Sequence, residues 1–156
     1  MNEELTEILN ERFEDLVFRK AALGDVIEVP ARRFYEVASF LKEDERFAFD
    51  FLNNYTAVDR PPERIELYAL LFSYPHRRKL ALCTSLDRAD PRVRTISDLW
   101  PAADWYEREM FDLFGIVFAG HPDLRRLFLP DYWKGHPLRK DYADSRIIPK
   151  PEVFCE

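Results

Sequence analysis

The last 38 residues of this 156-residue chain hold five of its 11 prolines (Pro122, Pro130, Pro137, Pro149 and Pro151) and two of its four glycines, Gly120 and Gly135. Proline fixes φ and removes a donor, while glycine permits a tight bend. Residues 119–156 therefore cannot pair their own backbone groups as a helix or sheet would, and another surface or water must satisfy them. They read as an extended C-terminal arm beside a globular unit of residues 1–118. Charge divides at the same place: the arm carries +1 and residues 1–118 carry −7, for a net charge of −6. Fully stretched, the arm would reach up to ~125 Å.

Residues 1–118 read as an α+β unit. Leu5, Ile8, Leu9 and Phe13 fall at helical spacing. Residues 16–20 and 25–29 read as short strands around a turn at Gly24-Asp25. Pro30 opens a helix whose buried face is Phe34, Val37, Ala38 and Leu41. Residues 48–58, 64–74 and 79–86 read as three longer strands, the last two joined by a turn at Pro75-His76-Arg77-Arg78. Ile65, Leu67, Ala69 and Leu71 share one face of the second, and Leu80, Leu82 and Leu86 one face of the third. The expected fold is a two-layer α/β sandwich of order α-β-β-α-β-β-β, with both helices on one face. Tyr68, Phe72 and Tyr74 lie on the other. A polar loop at 90–94 leads to a last helix, 104–115. There Asp104 is the expected N-cap, Glu107 its capping-box partner and Gly115 the C′ residue. Tyr106, Met110, Leu113, Phe114 and Val117 form its apolar stripe.

The charge balance excludes a uniformly basic nucleic-acid binder, and 47% hydrophobic residues exclude a disordered chain. The cysteines, Cys83 and Cys155, form no Cys-x-x-Cys pair, so neither structural zinc nor a self-contained iron–sulfur cluster is expected. Two unclustered thiols fit a reducing compartment. The acidic start, Met1-Asn2-Glu3-Glu4, lacks the apolar stretch of a signal peptide, and no apolar run is long enough to span a bilayer. The expectation is a soluble protein that can still sit on a membrane complex.

The densest chemistry lies between Trp105 and Asp141. Glu107-Arg108-Glu109 and Asp112 sit on the last helix, where Arg108 and Asp112 are placed to pair across one turn. Phe111 lies off the apolar stripe, as an exposed interface anchor or a second buried face within this chain would place it. Gly-His-Pro then occurs twice, at 120–122 and 135–137, each copy followed by leucine and paired basic residues. The first leads through Asp123 to Arg125 and Arg126, the second to Arg139, Lys140 and Asp141. Two basic pairs in one proline-rich strip fit docking on an acidic protein surface. A competing reading makes His76, His121 and His136 a hydrolytic metal site with nearby carboxylates.

The run Trp105-Tyr106-Glu107-Arg108-Glu109-Met110-Phe111-Asp112-Leu113-Phe114-Gly115-Ile116, followed by Gly120-His121-Pro122-Asp123-Leu124-Arg125-Arg126, resembles the C subunit of the proton-pumping NADH:quinone oxidoreductase, respiratory complex I (the thirty-kilodalton subunit of mitochondria). Gly135-His136-Pro137-Leu138-Arg139-Lys140-Asp141 is similar to that family's second landmark, and Asp98-Leu99-Trp100-Pro101 to the approach to its helix. The resemblance covers residues 97–141.

It implies a non-catalytic peripheral-arm subunit with no cofactor of its own, while FMN, iron–sulfur clusters and quinone belong to other subunits. The implied partners are the D and B subunits of the quinone module, reached partly through the C-terminal arm. The implied location is the cytoplasmic face of a bacterial or archaeal membrane, peripheral and held there by the complex. Expected interface residues are Glu107, Arg108, Glu109, Phe111, Asp112, His121, Asp123, Arg125, Arg126, His136, Arg139, Lys140 and Asp141, with Arg125 and Arg139 as ionic anchors. C-like subunits of F420H2 dehydrogenases and membrane-bound hydrogenases are the alternative; an adaptor outside respiration is a third.

Overall fold

The structure, a computed structural model, describes residues 3–13, 15–21 and 24–144; Arg146, Pro149, Lys150, Pro151 and Cys155 lie outside them. In chain order the elements are α1 (Glu3–Arg12), β1 (Val17–Ala21), β2 (Gly24–Glu28), a 3₁₀ turn (Ala31–Arg33), α2 (Phe34–Glu43), β3 (Phe51–Arg60), β4 (Arg64–Ser73), β5 (Arg78–Asp87), β6 (Arg92–Arg94), α3 (Ala103–Phe114) and β7 (Val117–Ala119). Five strands form one mixed sheet in the order β1-β2-β5-β4-β3. Its neighbours are antiparallel except β2 and β5, which run parallel.

Alternation along the strands decides the layers. Ile65, Leu67, Ala69 and Leu71 on β4 and Leu80, Leu82 and Leu86 on β5 point to one face. They form a single core with Leu5, Leu9 and Phe13 from the α1 region, Phe34, Val37, Ala38 and Leu41 of α2, and Met110 and Phe114 of α3. The helices thus cover one face, which makes the two-layer α+β arrangement. Leu67 is fully buried here, so Leu67→Ala would cost about 2–5 kcal/mol.

Three local expectations are corrected. Gly24 and Asp25 are not turn residues but belong to β2, paired with Ala21 and Lys20. The 90–94 loop contains β6, which pairs in parallel with β7; a three-residue strand whose partner lies over 20 residues away leaves no periodic trace. Asp104 does not cap α3: the helix begins at Ala103, and Ala102 before it makes no side-chain cap. The first donors are met by the preceding turn instead, with Ala103 N bonding Trp100 O at 2.8 Å and Asp104 N bonding Pro101 O at 3.3 Å. Asp104 sits in the first turn, where its charge still suits the helix dipole. Gly115 ends α3 as expected, in the left-handed conformation with φ +74°.

Candidate docking site

The polar residues of α3 face inward. Glu107 is fully buried. Its Oε1 accepts from Ile96 N at 2.8 Å and its Oε2 lies 2.5 Å from Thr95 Oγ1, so it braces the 95–98 segment rather than forming a capping box. Burial drives its carboxyl pKa up to about 7 against the pull of these two donors. The His121 ring is also fully buried, with Nε2 3.9 Å from Glu107 Oε2. Asp123 N donates to His121 Nδ1 at 3.0 Å, so Nε2 is the protonated nitrogen, and it points at Asp104 O, 3.3 Å away.

Asp112 is the second hub. It is fully buried, and it does not pair with Arg108. Its Oδ2 accepts three consecutive backbone N–H groups, from Leu127 (3.1 Å), Phe128 (2.8 Å) and Leu129 (2.9 Å). Its Oδ1 takes Arg126 Nη1 at 2.7 Å. Burial raises the Asp112 pKa, but these donors together outweigh it and hold the carboxyl below the usual carboxylate range. Arg108 turns to the carbonyls of Arg125 (3.4 Å) and Arg126 (3.5 Å), with its guanidinium 5.2 Å from the centre of the Trp105 ring.

The second Gly-His-Pro turn closes the far end of the helix. The last carbonyls of an α-helix lack intrahelical partners. Here His136 Nδ1 bonds Asp112 O (3.0 Å), Leu138 N bonds Leu113 O (3.1 Å) and Arg139 Nε bonds Phe114 O (2.7 Å). Beyond it, Lys140 N bonds Asp59 Oδ2 at 2.7 Å. Arg88 spans Asp59 and Asp141, with 2.7 Å to Asp59 Oδ1 and 2.5 Å to Asp141 Oδ1. The Arg88 guanidinium holds Asp59 below the usual carboxylate range.

Residues 120–141 therefore run along α3 from its first turn to its last, attached at both ends and in the middle. For its described residues, this corrects the expectation that the arm must borrow a neighbour's surface. Within the described residues, buried carboxylates of its own chain meet four of its backbone donors, at residues 127–129 and 140, a solution that proline and glycine counts do not reveal. The expected interface set divides accordingly. Glu107, Arg108 and Asp112 are buried and are corrected as contact residues; their hydrogen bonds are internal. Phe111 and Glu109 are half-buried, so Phe111 is not the exposed anchor. Arg126, His136 and Arg139 bond α3, while Asp123, Arg125, Lys140 and Asp141 are exposed, the first two paired to each other at 2.8 Å. The three histidines are separated: His76 bonds Glu45 O at the β4–β5 turn, His121 lies at the start of α3 and His136 at its end. No metal-binding group of His, Cys, Asp and Glu exists among the described residues, which removes the geometric basis for a three-histidine hydrolase.

Besides these charges, the lacing leaves four large apolar side chains outside. Phe128 is 64% exposed, Tyr132 80% and Leu138 47%, and Trp105 on α3 is 60% exposed. An ordered backbone presenting bare aromatic rings suits a protein interface. Sequence reasoning missed these four as contacts, along with Thr95, Asp59 and Arg88 as supports. Asp59 carried a signal: it continues the inward alternation Tyr55–Ala57–Asp59, a charge at a core position. Thr95 and Arg88 carried none.

Residues 27–146 match the family described as respiratory-chain NADH dehydrogenase, 30 Kd subunit. The chain is 40% identical over 145 residues to the C subunit of NADH-quinone oxidoreductase from Roseiflexus sp. (strain RS-1), covering 90% of this chain and 83% of that one. It is 42% identical over 123 residues to an NADH-quinone oxidoreductase protein of Nitrosospira multiformis whose name joins the C and D subunits, covering 73% of this chain and 20% of the other. Its fold is similar to the trypsin-resistant fragment (1-134) of Nqo5, with TM-score 0.66, 33% identity and coverage of 77% and 98%. It is also similar to a chain of the membrane-bound sulfane sulfur reductase, an archaeal respiratory membrane complex, with TM-score 0.76, 26% identity and coverage of 90% and 85%.

Proposed function

The chain belongs to the 30 kDa subunit family of respiratory-chain NADH dehydrogenase, and we propose on that ground that it is a non-catalytic docking subunit of a proton-translocating NADH:quinone oxidoreductase. It binds no cofactor itself. Its work is to hold the subunits that carry electrons from NADH, through FMN and iron–sulfur centres, to quinone. The partners are the D- and B-type subunits, on the cytoplasmic side of the membrane. The relative named for both C and D supports D as a neighbour, since one polypeptide there carries both designations.

The observation that carries the proposal is the laced arm with its outward rings. Ordering a segment before it binds lowers the entropic cost of association. Here Asp112 fixes the backbone at Phe128, so that ring is presented in one place. Its neighbour Tyr132 adds a second contact, and an obligate interface of this kind buries about 2,000–5,000 Å². The test is Phe128→Ser with Tyr132→Ser in the tagged chain, purified from membranes. Loss of D- and B-type subunits and of NADH:quinone activity, with the isolated chain's unfolding midpoint unchanged, supports it. Undiminished co-purification and activity defeat it.

A second reading makes the chain the equivalent subunit of a related membrane complex with another electron donor. The similarity to the archaeal sulfane sulfur reductase chain favours it. The dehydrogenase substrate of the purified complex decides between the two.

A further inference from the structure

The two Gly-His-Pro turns use the same side chain in opposite ways. In the first, His121 Nδ1 accepts the Asp123 N–H at 3.0 Å. In the second, His136 Nδ1 lies 3.0 Å from Asp112 O; a carbonyl oxygen only accepts, so here Nδ1 donates. A second proton therefore acts differently on the two rings. On His136 it goes to Nε2 and leaves the bond to the helix end in place. On His121 it goes to Nδ1 and turns the acceptor of the Asp123 N–H into a donor. Two donors cannot face each other at that distance, so the turn has to open at Asp123.

The His121 side chain is fully buried, so the ring cannot swing into water while the turn is closed. Charged groups face it from each element around it. From α3 come Asp104, with Oδ1 3.3 Å from Nε2, and Glu107, with Oε2 3.9 Å away. Asp98 and Arg94 share a cavity of about 430 Å³ with Asp104, Gly120 and Pro122. On the turn itself Asp123 is paired with Arg125 at 2.8 Å, and Arg108 reaches the carbonyls of Arg125 and Arg126. The carboxylates can accompany a positive imidazole; the closed turn cannot.

We infer that the first Gly-His-Pro turn is a proton-operated latch: a neutral His121 holds residues 121–125 closed against the first turn of α3, an imidazolium releases them, and the second turn stays closed in both states. The latch bears on the proposed docking role because this turn is one of the arm's attachments to α3. Histidine is the side chain that ordinarily titrates between about pH 5 and 8, and the latch works in that window. Asp112, held below the usual carboxylate range, stays ionised there and keeps the middle of the arm in place.

The experiment follows the isotope-labelled full chain by NMR from pH 5 to pH 8. The Asp123 amide, corrected for intrinsic rate, should exchange about tenfold faster at the acid end, with the midpoint shown by the His121 ring nitrogens. The Leu138 amide, bonded to Leu113 O in the second turn, should show no such step. His121→Asn puts an amide oxygen in the place of Nδ1, an acceptor that takes no proton in this range, and should keep the Asp123 amide protected throughout. Glu107→Gln should retain the step. An Asp123 amide with the same protection at both ends of the range overturns the inference. So does a step that survives His121→Asn, one that vanishes in Glu107→Gln, or one shared by Leu138. Where the Asn variant does not fold, the parent decides: different midpoints for ring and amide overturn the latch. Partner co-purification at pH 8, where the turn is closed, tests the proposed function separately, and that function stands if the latch alone fails.

Discussion

The imidazole of His136 stands over Gly115, in the space that a side chain at that position would need. The glycine therefore ends α3 with φ +74° and also lets the second Gly-His-Pro turn close on the helix end. Gly115→Ala is expected to destabilise the chain by about 1–3 kcal/mol and to loosen residues 136–141. In a double-mutant cycle with His136→Ala, the alanine at 115 should cost less, because the two residues share one space. Denaturant titration of the four proteins measures this; identical costs in both backgrounds would separate the ring from the glycine.

Asp112→Asn should release the middle of the arm. The amide cannot offer two anionic oxygens to Arg126 and three backbone N–H groups, and breaking a buried charged network costs about 3–5 kcal/mol. Trypsin should then cut rapidly after Arg125 or Arg126. Equal digestion rates for variant and parent would contradict the assignment. Acid should act in the same direction. The Asp112 pKa is depressed in the folded chain, so its stabilising contribution is complete above the ordinary carboxylate range and is lost as pH falls through the depressed value. Amide exchange at residues 127–129, corrected for intrinsic rate, should accelerate there.

Glu107 works with the opposite sign. Its folded pKa of about 7 lies above the ordinary carboxylate value. Between those two pH values the unfolded chain gives up its proton while the folded one keeps it. Stability from this residue is therefore highest in mild acid, falls as pH rises towards 7, and is flat above. The difference is on the order of 3 kcal/mol. Glu107→Gln should remove that slope, as seen in unfolding free energies at several pH values between 5 and 8. A variant with the parent's slope would assign the proton elsewhere.

Arg139 and Arg125 should separate cleanly. Arg139 bonds Phe114 O, where a cation at a helix C-terminus is favoured. Arg139→Gln should cost the isolated chain about 1–2 kcal/mol. Arg125 pairs only with exposed Asp123 among carboxylates of the described residues, so Arg125→Ala should leave the unfolding midpoint unmoved and act, if at all, on assembly. Thermal unfolding of both variants, with and without co-expressed partners, distinguishes a brace from a contact.

Much of the fold was readable along the chain. Leu5, Leu9 and Phe13 repeat at helical spacing, and Ile65 to Leu71 alternates, because each pattern reflects a local period of the backbone. Gly115 was legible as a helix end. The candidate site was only half legible. The resemblance marked Glu107, Asp112, His121 and His136, but not which way their side chains turn. Asp112 stands at the i+4 spacing of a partner for Arg108; it instead accepts three N–H groups from residues 15 to 17 positions later, which the fold of the arm along α3 brings to its buried carboxylate. Phe128 and Tyr132 looked like ordinary arm residues until the lacing left them outside.

The sequence alone settles where periodic elements form, that the described residues beyond 119 build no long helix or sheet, and which family the motifs resemble. Only the tertiary structure decides what completes the arm. Hydrogen bonds such as Lys140 N to Asp59 join groups 81 positions apart. Local pattern cannot rank such a partner against water or another chain. Folding can, because it buries donor and acceptor together and makes leaving either unpaired costly.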